Sequence, residues 1–373
     1  MNKPVLHNRL CDELGIEYPI FLAGMAGRGD PTPPELVAAV SEAGGMGVLG
    51  ISGFEPDEIR RRIREVRKLT DKPFGVDSLL PVRLVDAAPT RSGVREQIKR
   101  DHPAHWQFME RVREQFGLPE MRVDNEIVVD NDFMRLQVDT ILDEKLPLFA
   151  AALGDPGFFA ERAHSQGTKL MGIAGNVRHA HRQIAAGTDI VIAAGHEGGG
   201  HVGSIGTFPL IPQIVDAIAP APVAAAGGIG DGRGVAAALA LGAQAVWVGT
   251  AFLVADECGI SDARKQQLID SRSQDFLVSR SWTGKPTRSH THPLTLAWAE
   301  SELEPLEAPI QRVLVEDFQV AAMAAKRDDL AFSPAGQIGG MIMERRPAAA
   351  ILNDLVTGAI DVLKHLPTEL QVG

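Results

Sequence analysis

The chain of 373 residues predicts an α/β protein built as a (β/α)8 TIM barrel. Three observations carry that reading. Eight short apolar runs recur along the sequence, helical stretches lie between them, and each run is apolar on both faces rather than alternating. Buried parallel strands have that character.

The elements follow in order. "PIFLAG" (19–24) is the first strand, followed by a helix over 34–43. "GMGVLG" (45–50) is the second, with a helix over 56–69, and "PFGVDSLL" (73–80) is the third. The alternation then breaks, because residues 81–131 exceed what a strand–helix link needs. Within them "SGVREQIKRDHPAHWQFMERVREQFGL" reads as one or two amphipathic helices, a helical insertion over one rim of the barrel. A helix over 132–144 restores the order. "PLFAAALG" (147–154), "TKLMGIAG" (168–175) and "DIVIAAG" (189–195) are strands four to six, with helices over 156–166 and 178–186. A helix over 208–218 leads to "PVAAAGG" (222–228), and one over 231–241 leads to the eighth strand, "AQAVWVG" (243–249). Eight such units indicate a barrel. A doubly wound sheet would more usually carry GxGxxG after its first strand, and "GMAGRGD" departs from that pattern. The predicted organisation is a barrel over 1–255 with the insertion at 81–131, a second, mostly helical lobe over 256–332, and a terminal segment, 333–373, whose helix returns to the barrel.

Composition narrows the function. A net charge of −11 argues against a nucleic-acid or anionic-membrane surface. Two cysteines, Cys11 and Cys258, give no disulfide framework and fit a reducing, cytoplasmic setting. The N-terminus lacks the apolar core of a signal peptide, and no apolar run is long enough to span a membrane. The expected partner is a small molecule.

Active sites of such barrels lie at the C-terminal ends of the strands, and the glycines cluster there. In "AAAGGIGDGRGVAAALALGAQAVWVGTAF" (224–252) the seventh strand ends in Gly227-Gly228, a helix starts near Asp231, and the eighth strand ends in Gly249-Thr250. Glycine lets backbone N–H groups approach an anion, and a helix N-terminus adds a favourable dipole. Paired loops after strands seven and eight are a recurrent phosphate site.

Four stretches, "PIFLAGMAGRGDPTPPELVAAVSEAGGMGVLG", "GHEGGGHVG", "PVAAAGGIGDGRGVAAALALGAQAVWVGT" and "SPAGQIGGMI", resemble the nitronate monooxygenases, formerly called 2-nitropropane dioxygenases. The FMN-dependent enoyl-ACP reductases and related NADH-dependent flavin reductases share the pattern. The resemblance spans nearly the whole chain except 81–131. It implies an FMN-binding oxidoreductase. The FMN phosphate would lie on the backbone of Gly227, Gly228, Gly249 and Thr250, with Trp247 and Val248 leading into that loop, and Gly24 and Met25 would face the flavin ring. Three positions depart from the family: Gly24 replaces proline, Asp77 replaces an asparagine that hydrogen-bonds the flavin, and Ala194 replaces glutamine. A carboxylate accepts hydrogen bonds but donates none unless protonated. The flavin bond lost at Ala194 is either missing or supplied by His196.

The loop "HEGGGH" (196–201) matches the family's Glu-Ala-Gly-Gly-His. The resemblance therefore makes His201 the active-site acid or base, and Gly199 and Gly200 flavin-contacting glycines. A neutral imidazole there takes a proton from a carbon acid; an imidazolium donates one. His196 is read as a substrate-pocket or flavin-edge residue, and no metal site is expected from His196, Glu197 and His201. "WTGKPTRSHTHPL" (282–294) gathers Lys285, Arg288, His290 and His292, of which Arg288 is the leading substrate contact. The implied reaction is oxidation of an alkyl nitronate by O2 to a carbonyl compound and nitrite. The alternatives are an NAD(P)H-dependent FMN reductase acting on an enoyl thioester or quinone, and a non-catalytic flavin-binding barrel.

Overall fold

A parallel bridge between Phe21 and Met46 closes the main sheet into a barrel. Leu22 N–H donates to Met46 O and Met46 N–H to Ile20 O, both at 2.9 Å. In this computed structural model, which describes residues 4–81, 85–128 and 130–369, the strands are β1 (Ile20–Leu22), β2 (Gly47–Gly50), β3 (Phe74–Leu79), β4 (Leu148–Ala152), β5 (Lys169–Ala174), β6 (Ile190–Ala194), β7 (Gly200–His201), β8 (Val223–Ala226), β9 (Ala245–Val248), β10 (Phe276–Ser279) and β11 (Thr287–His290). The barrel runs in the order β1-β9-β8-β6-β5-β4-β3-β2, and β10-β11-β7 form a separate three-stranded sheet. All barrel pairings are parallel. The eight predicted strands are all present, each within two residues of its predicted ends.

The two apolar faces of each strand serve two cores. Phe21, Met46, Leu148, Met171, Ile192 and Trp247 point inward and pack together along the barrel axis. Their neighbours, among them Leu22, Leu49, Val76, Phe149, Val191 and Val246, point outward and pack beneath the helices. The short helix Arg9–Leu14 plugs the barrel at the strands' N-terminal ends with Leu10, Cys11 and Leu14. Asn8 fixes it there, its Nδ2 donating to Gln244 O at 2.7 Å just ahead of β9. Cys11 is thereby a floor residue, far from the strand ends that carry a site.

The outer helices fall where the sequence places them, with one difference. The helix expected over 156–166 starts at Ala160, because Pro156–Phe159 closes into a turn with Phe159 N–H on Pro156 O at 2.9 Å. The terminal helix Ala348–Glu369 takes the eighth position in the ring, packed between Pro34–Glu42 and Gly232–Ala240. It approaches closely at a glycine pair: a Cβ on Gly232 would lie 2.4 Å from the backbone of Ala359. No helix among the described residues is long and apolar enough to cross a membrane.

Residues 81–131 and 256–332 share one core. The insertion forms helices Arg91–Asp101 and Pro103–Gln115. Their Val94, Ile98, Phe108 and Val112 pack against Trp298, Leu314 and Phe318 of the later segment. Two buried ion pairs cross this contact. Arg95 grips Asp317 with Nε and Nη2, both at 2.8 Å, and Arg91 pairs with Glu316. To its three helices the later segment adds β10 and β11, and β11 pairs antiparallel with β7. That pairing ties the segment to the loop that follows β6.

Candidate active site

Thr32 organises the loop that follows β1. Its buried hydroxyl donates to Met25 O at 2.7 Å and accepts from Met25 N–H at 3.3 Å and Gly50 N–H at 3.0 Å. Met25 is thereby laid on the end of β2, where a Cβ on Gly50 would be 2.4 Å from its carbonyl. Gly24 meets Asp77 in the same way, since a Cβ there would lie 2.3 Å from Asp77 Cβ. Met25 also reaches Gly249, its sulfur 3.4 Å from where a Cβ would stand. Gly24, Met25, Asp77 and Gly249 are thus one cluster at the barrel mouth. Asp77 is 7% exposed, its Oδ1 has no partner among the described residues, and burial raises its carboxyl well above the usual carboxylate range.

The glycine loop after β6, following half-buried Ala194, is held by its glutamate. Glu197 accepts from Thr207 N–H at 2.8 Å, capping the helix Thr207–Ile218. The Thr207 hydroxyl stands 2.9 Å from the same carboxylate and 3.0 Å from Gly227 O. The loops after β6 and β8 are therefore locked together. Gly227 and Gly228 both take left-handed backbone, at φ +89° and +71°, which explains a glycine at each. The following helix is already capped by Asp231, which accepts from Arg233 N–H at 2.9 Å. An anion here would meet the Gly227–Gly228 turn and the start of the 3-10 helix Thr250–Val254, whose first N–H groups have no partner within the helix. Trp247 faces the barrel axis beside Phe21, and Val248 packs outward beneath the helices. Val248 can meet a ligand at this mouth only through its backbone.

The C-terminal segment forms a further wall. Gly336 N–H donates to Thr250 Oγ1 at 2.9 Å and Gln337 N–H to Glu197 O at 3.0 Å. A Cβ on Gly199 would be 2.5 Å from the backbone of Ala335. Ala335, Gly336 and Gln337 of this wall, with Thr32 and Thr207, are residues of the site that the sequence does not single out. The signal for the wall is the stretch "SPAGQIGGMI", which resembles the family.

Gly200 and His201 form β7 opposite Arg288 and Thr287. The His201 Nε2 lies 3.1 Å from Thr283 Oγ1. Burial, reinforced by Lys285 and Arg312, lowers the imidazole to about 4, so it is neutral at neutral pH. Arg312 is itself paired with Glu316. Burial alone would raise the Glu316 carboxyl, but Arg312 and Arg91 overcome it and hold the value at about 2.

Two residues of the 282–294 stretch take structural roles instead of facing a ligand. Arg288, expected to bind substrate, is 4% exposed. It donates through Nε and Nη2 to His196 O at 3.3 and 3.0 Å and through Nη1 to Phe276 O at 2.7 Å. Its guanidinium is a clamp between the loop after β6 and β10. His292 accepts from Leu294 N–H at 2.9 Å, capping the helix Pro293–Glu300, and lies edge-on to Trp282. His196 stays partly exposed, its Nδ1 2.7 Å from Gly203 O.

The sequence profile of a family described as nitronate monooxygenase matches residues 7–358. A putative monooxygenase of Mycobacterium tuberculosis, Rv1533, is 34% identical over 379 residues, spanning 97% of this chain and 98% of its own. A nitroalkane oxidase from Streptomyces ansochromogenes superposes with a TM-score of 0.81 at 30% identity, over 96% of this chain and 99% of that one. FabK from Thermotoga maritima superposes with a TM-score of 0.76 at 30% identity, over 98% and 100%.

Proposed function

The chain belongs to the nitronate monooxygenase family, a family of oxidoreductase enzymes, and from that premise we propose that it binds FMN and oxidises an alkyl nitronate with O2 to a carbonyl compound and nitrite. The residues at the mouth fit such a cofactor. Glycines open a cradle where side chains would clash, two of them in left-handed turns beside the start of the 3-10 helix Thr250–Val254. Asp77 Oδ1 is buried and lacks a partner that a ring edge would provide. In this reading Gly227, Gly228, Gly249 and Thr250 hold the phosphate, and Gly24, Met25, Asp77, Ala194, Gly199 and Gly200 line the ring. Bound FMN supplies the electron transfer that amino-acid side chains lack.

What supports the choice of substrate is His201, half-buried beside Lys285 and Arg312, which with desolvation lower its imidazole to about 4. An imidazole whose conjugate acid titrates near 4 is a weak base toward a neutral nitroalkane. A nitronate arrives with that proton already gone, and its negative charge complements the two cations. Nε2 is engaged by Thr283, which leaves the other ring nitrogen to meet the substrate. His201 then orients the nitro group, and substrate charge near it pulls its value back toward the ordinary 6.5.

A second reading, an NAD(P)H-dependent FMN reductase acting on an enoyl thioester or quinone, is favoured by the likeness to FabK. Mass spectrometry of the released cofactor, then anaerobic titration with NADH and with a nitronate, separates the two. FMN bleached by the nitronate alone supports the first reading. Bleaching by NADH alone transfers the assignment to the second, and FMN bleached by neither overturns both.

A further inference from the structure

We propose that Asp77 stands in the barrel as a neutral carboxylic acid and donates its proton in a hydrogen bond to an acceptor atom on the flavin ring, a positioning role toward the cofactor that rests on the FMN reading above.

The geometry comes first. Asp77 lies on β3, in register with Gly50 of β2 and Ala150 of β4. Ala150 belongs to the cluster that faces the barrel axis, so the carboxyl points inward with it. Gly24 closes over it, since a Cβ there would lie 3.2 Å from Asp77 Oδ2 and 2.3 Å from Asp77 Cβ. The carboxyl therefore occupies the room that a side chain on the β1 loop would need. Its Oδ1 is buried without a hydrogen-bond partner among the described residues.

The charge state follows from these surroundings. Gly24, Gly50 and Ala150, which meet or pair with Asp77 from the neighbouring elements, carry no titratable group, and burial is the one influence acting on the carboxyl. An ionised carboxylate there would be stripped of water with no cation or N–H to replace it, so the group keeps its proton instead. A protonated carboxyl is a donor, and a buried donor without a partner is costly. Gly24, Gly50 and Ala150 around the carboxyl offer it no side-chain acceptor, and the ring carbonyls and nitrogens of a flavin are the acceptors that would satisfy it.

Infrared difference spectroscopy on the wild-type protein and Asp77→Asn, each with and without FMN at pH 7, tests this. The expected result is a carbonyl stretch of a protonated acid in the wild type that is missing from Asp77→Asn and shifts to lower frequency when FMN binds. Asp77→Asn, which keeps a donor, should hold FMN within about twofold of wild type, whereas Asp77→Leu should weaken it roughly tenfold. A wild type with no acid band attributable to Asp77, a band that FMN leaves unmoved, or equal losses in the two variants would overturn the proposal. A protein that takes up no FMN at all overturns the cofactor reading itself. FMN uptake with an unmoved band overturns only the role given to Asp77.

Discussion

At the scale of single residues, the proposed reading rests on His201 and Gly228. If His201 orients a nitronate, His201→Asn should leave the fold and FMN binding intact, since none of the proposed flavin contacts is made by its side chain. Turnover of preformed nitronate should fall by about 10–100-fold as the nitro group loses its orientation, and turnover of a neutral nitroalkane, toward which the imidazole is a weak base, should fall by no more. His196→Asn should cost less on either form; steady-state assays of both variants on both substrates check this. The pH profile has a defined sign. His201 is neutral above about 4, so the acid limb of kcat/KM should lie near 4 instead of 6.5 and disappear in His201→Asn. Gly228 sits at φ +71°, and a Cβ there would stand 3.6 Å from Glu197 Cβ. Gly228→Val forces a β-branched side chain into left-handed backbone at a cost of roughly 1–3 kcal/mol. The folded variant should lose FMN, read as flavin absorbance per protein. Full occupancy would remove the phosphate from this turn.

At the scale of elements, the insertion and the later segment share one core, which β11 ties to the loop after β6. The Arg95–Asp317 pair joins helix Arg91–Asp101 to helix Ile310–Ala324, with the Arg95 side chain 10% and the Asp317 side chain 8% exposed. Asp317 Oδ1 also accepts from Val123 N–H at 3.0 Å. Removing one member of a buried pair strands the other charge, so Arg95→Ala should destabilise by about 3–5 kcal/mol. Arg95→Met with Asp317→Leu together should recover much of that loss; urea unfolding of the single and double variants measures it. Because the same helix carries Arg312, which acts on His201, loosening this contact should also raise the pH of the acid limb. The clamp of Arg288 on His196 O and Phe276 O works alongside it, fixing the loop after β6 against β10.

For the whole molecule, buried titratable groups set the pH dependence of stability. His201 and His292 both titrate near 4 in the folded protein, mainly through burial, against about 6.5 when unfolded. Between those values the unfolded chain binds protons that the folded one refuses. Their contribution is therefore complete above about pH 6.5 and is lost as pH falls toward 4, at most roughly 3 kcal/mol for each. Asp77 acts in the opposite sense: its raised value makes the fold less stable as pH rises above the ordinary carboxylate range. The melting temperature should drop between pH 7 and pH 5, and His292→Asn should lessen the drop. Asparagine also accepts from the first N–H groups of a helix, so the cap on Pro293–Glu300 should survive. An unchanged pH dependence in His292→Asn would show that this histidine is not buried as described.

The sequence by itself determined the barrel. Strand identity rests on local apolar runs, and the glycines of Gly227-Gly228 answer a backbone requirement that belongs to their own positions. Local periodicity also placed seven outer helices, missing only the turn at Pro156–Phe159. What the tertiary structure decided depends on neighbours distant in the chain. Arg288 looks like a ligand contact in a basic stretch, yet it is buried and three of its N–H groups go to the carbonyls of His196 and Phe276. The insertion and the later segment share a core that neither amphipathic pattern announces. His201 and His196 are both half-buried, and their neighbours separate them: Thr283, Lys285 and Arg312 surround His201, whereas His196 meets Gly203 O. Hydrophobic periodicity is a property of a few adjacent residues, whereas desolvation and charge are sums over everything packed around a group, and only the folded chain fixes that sum.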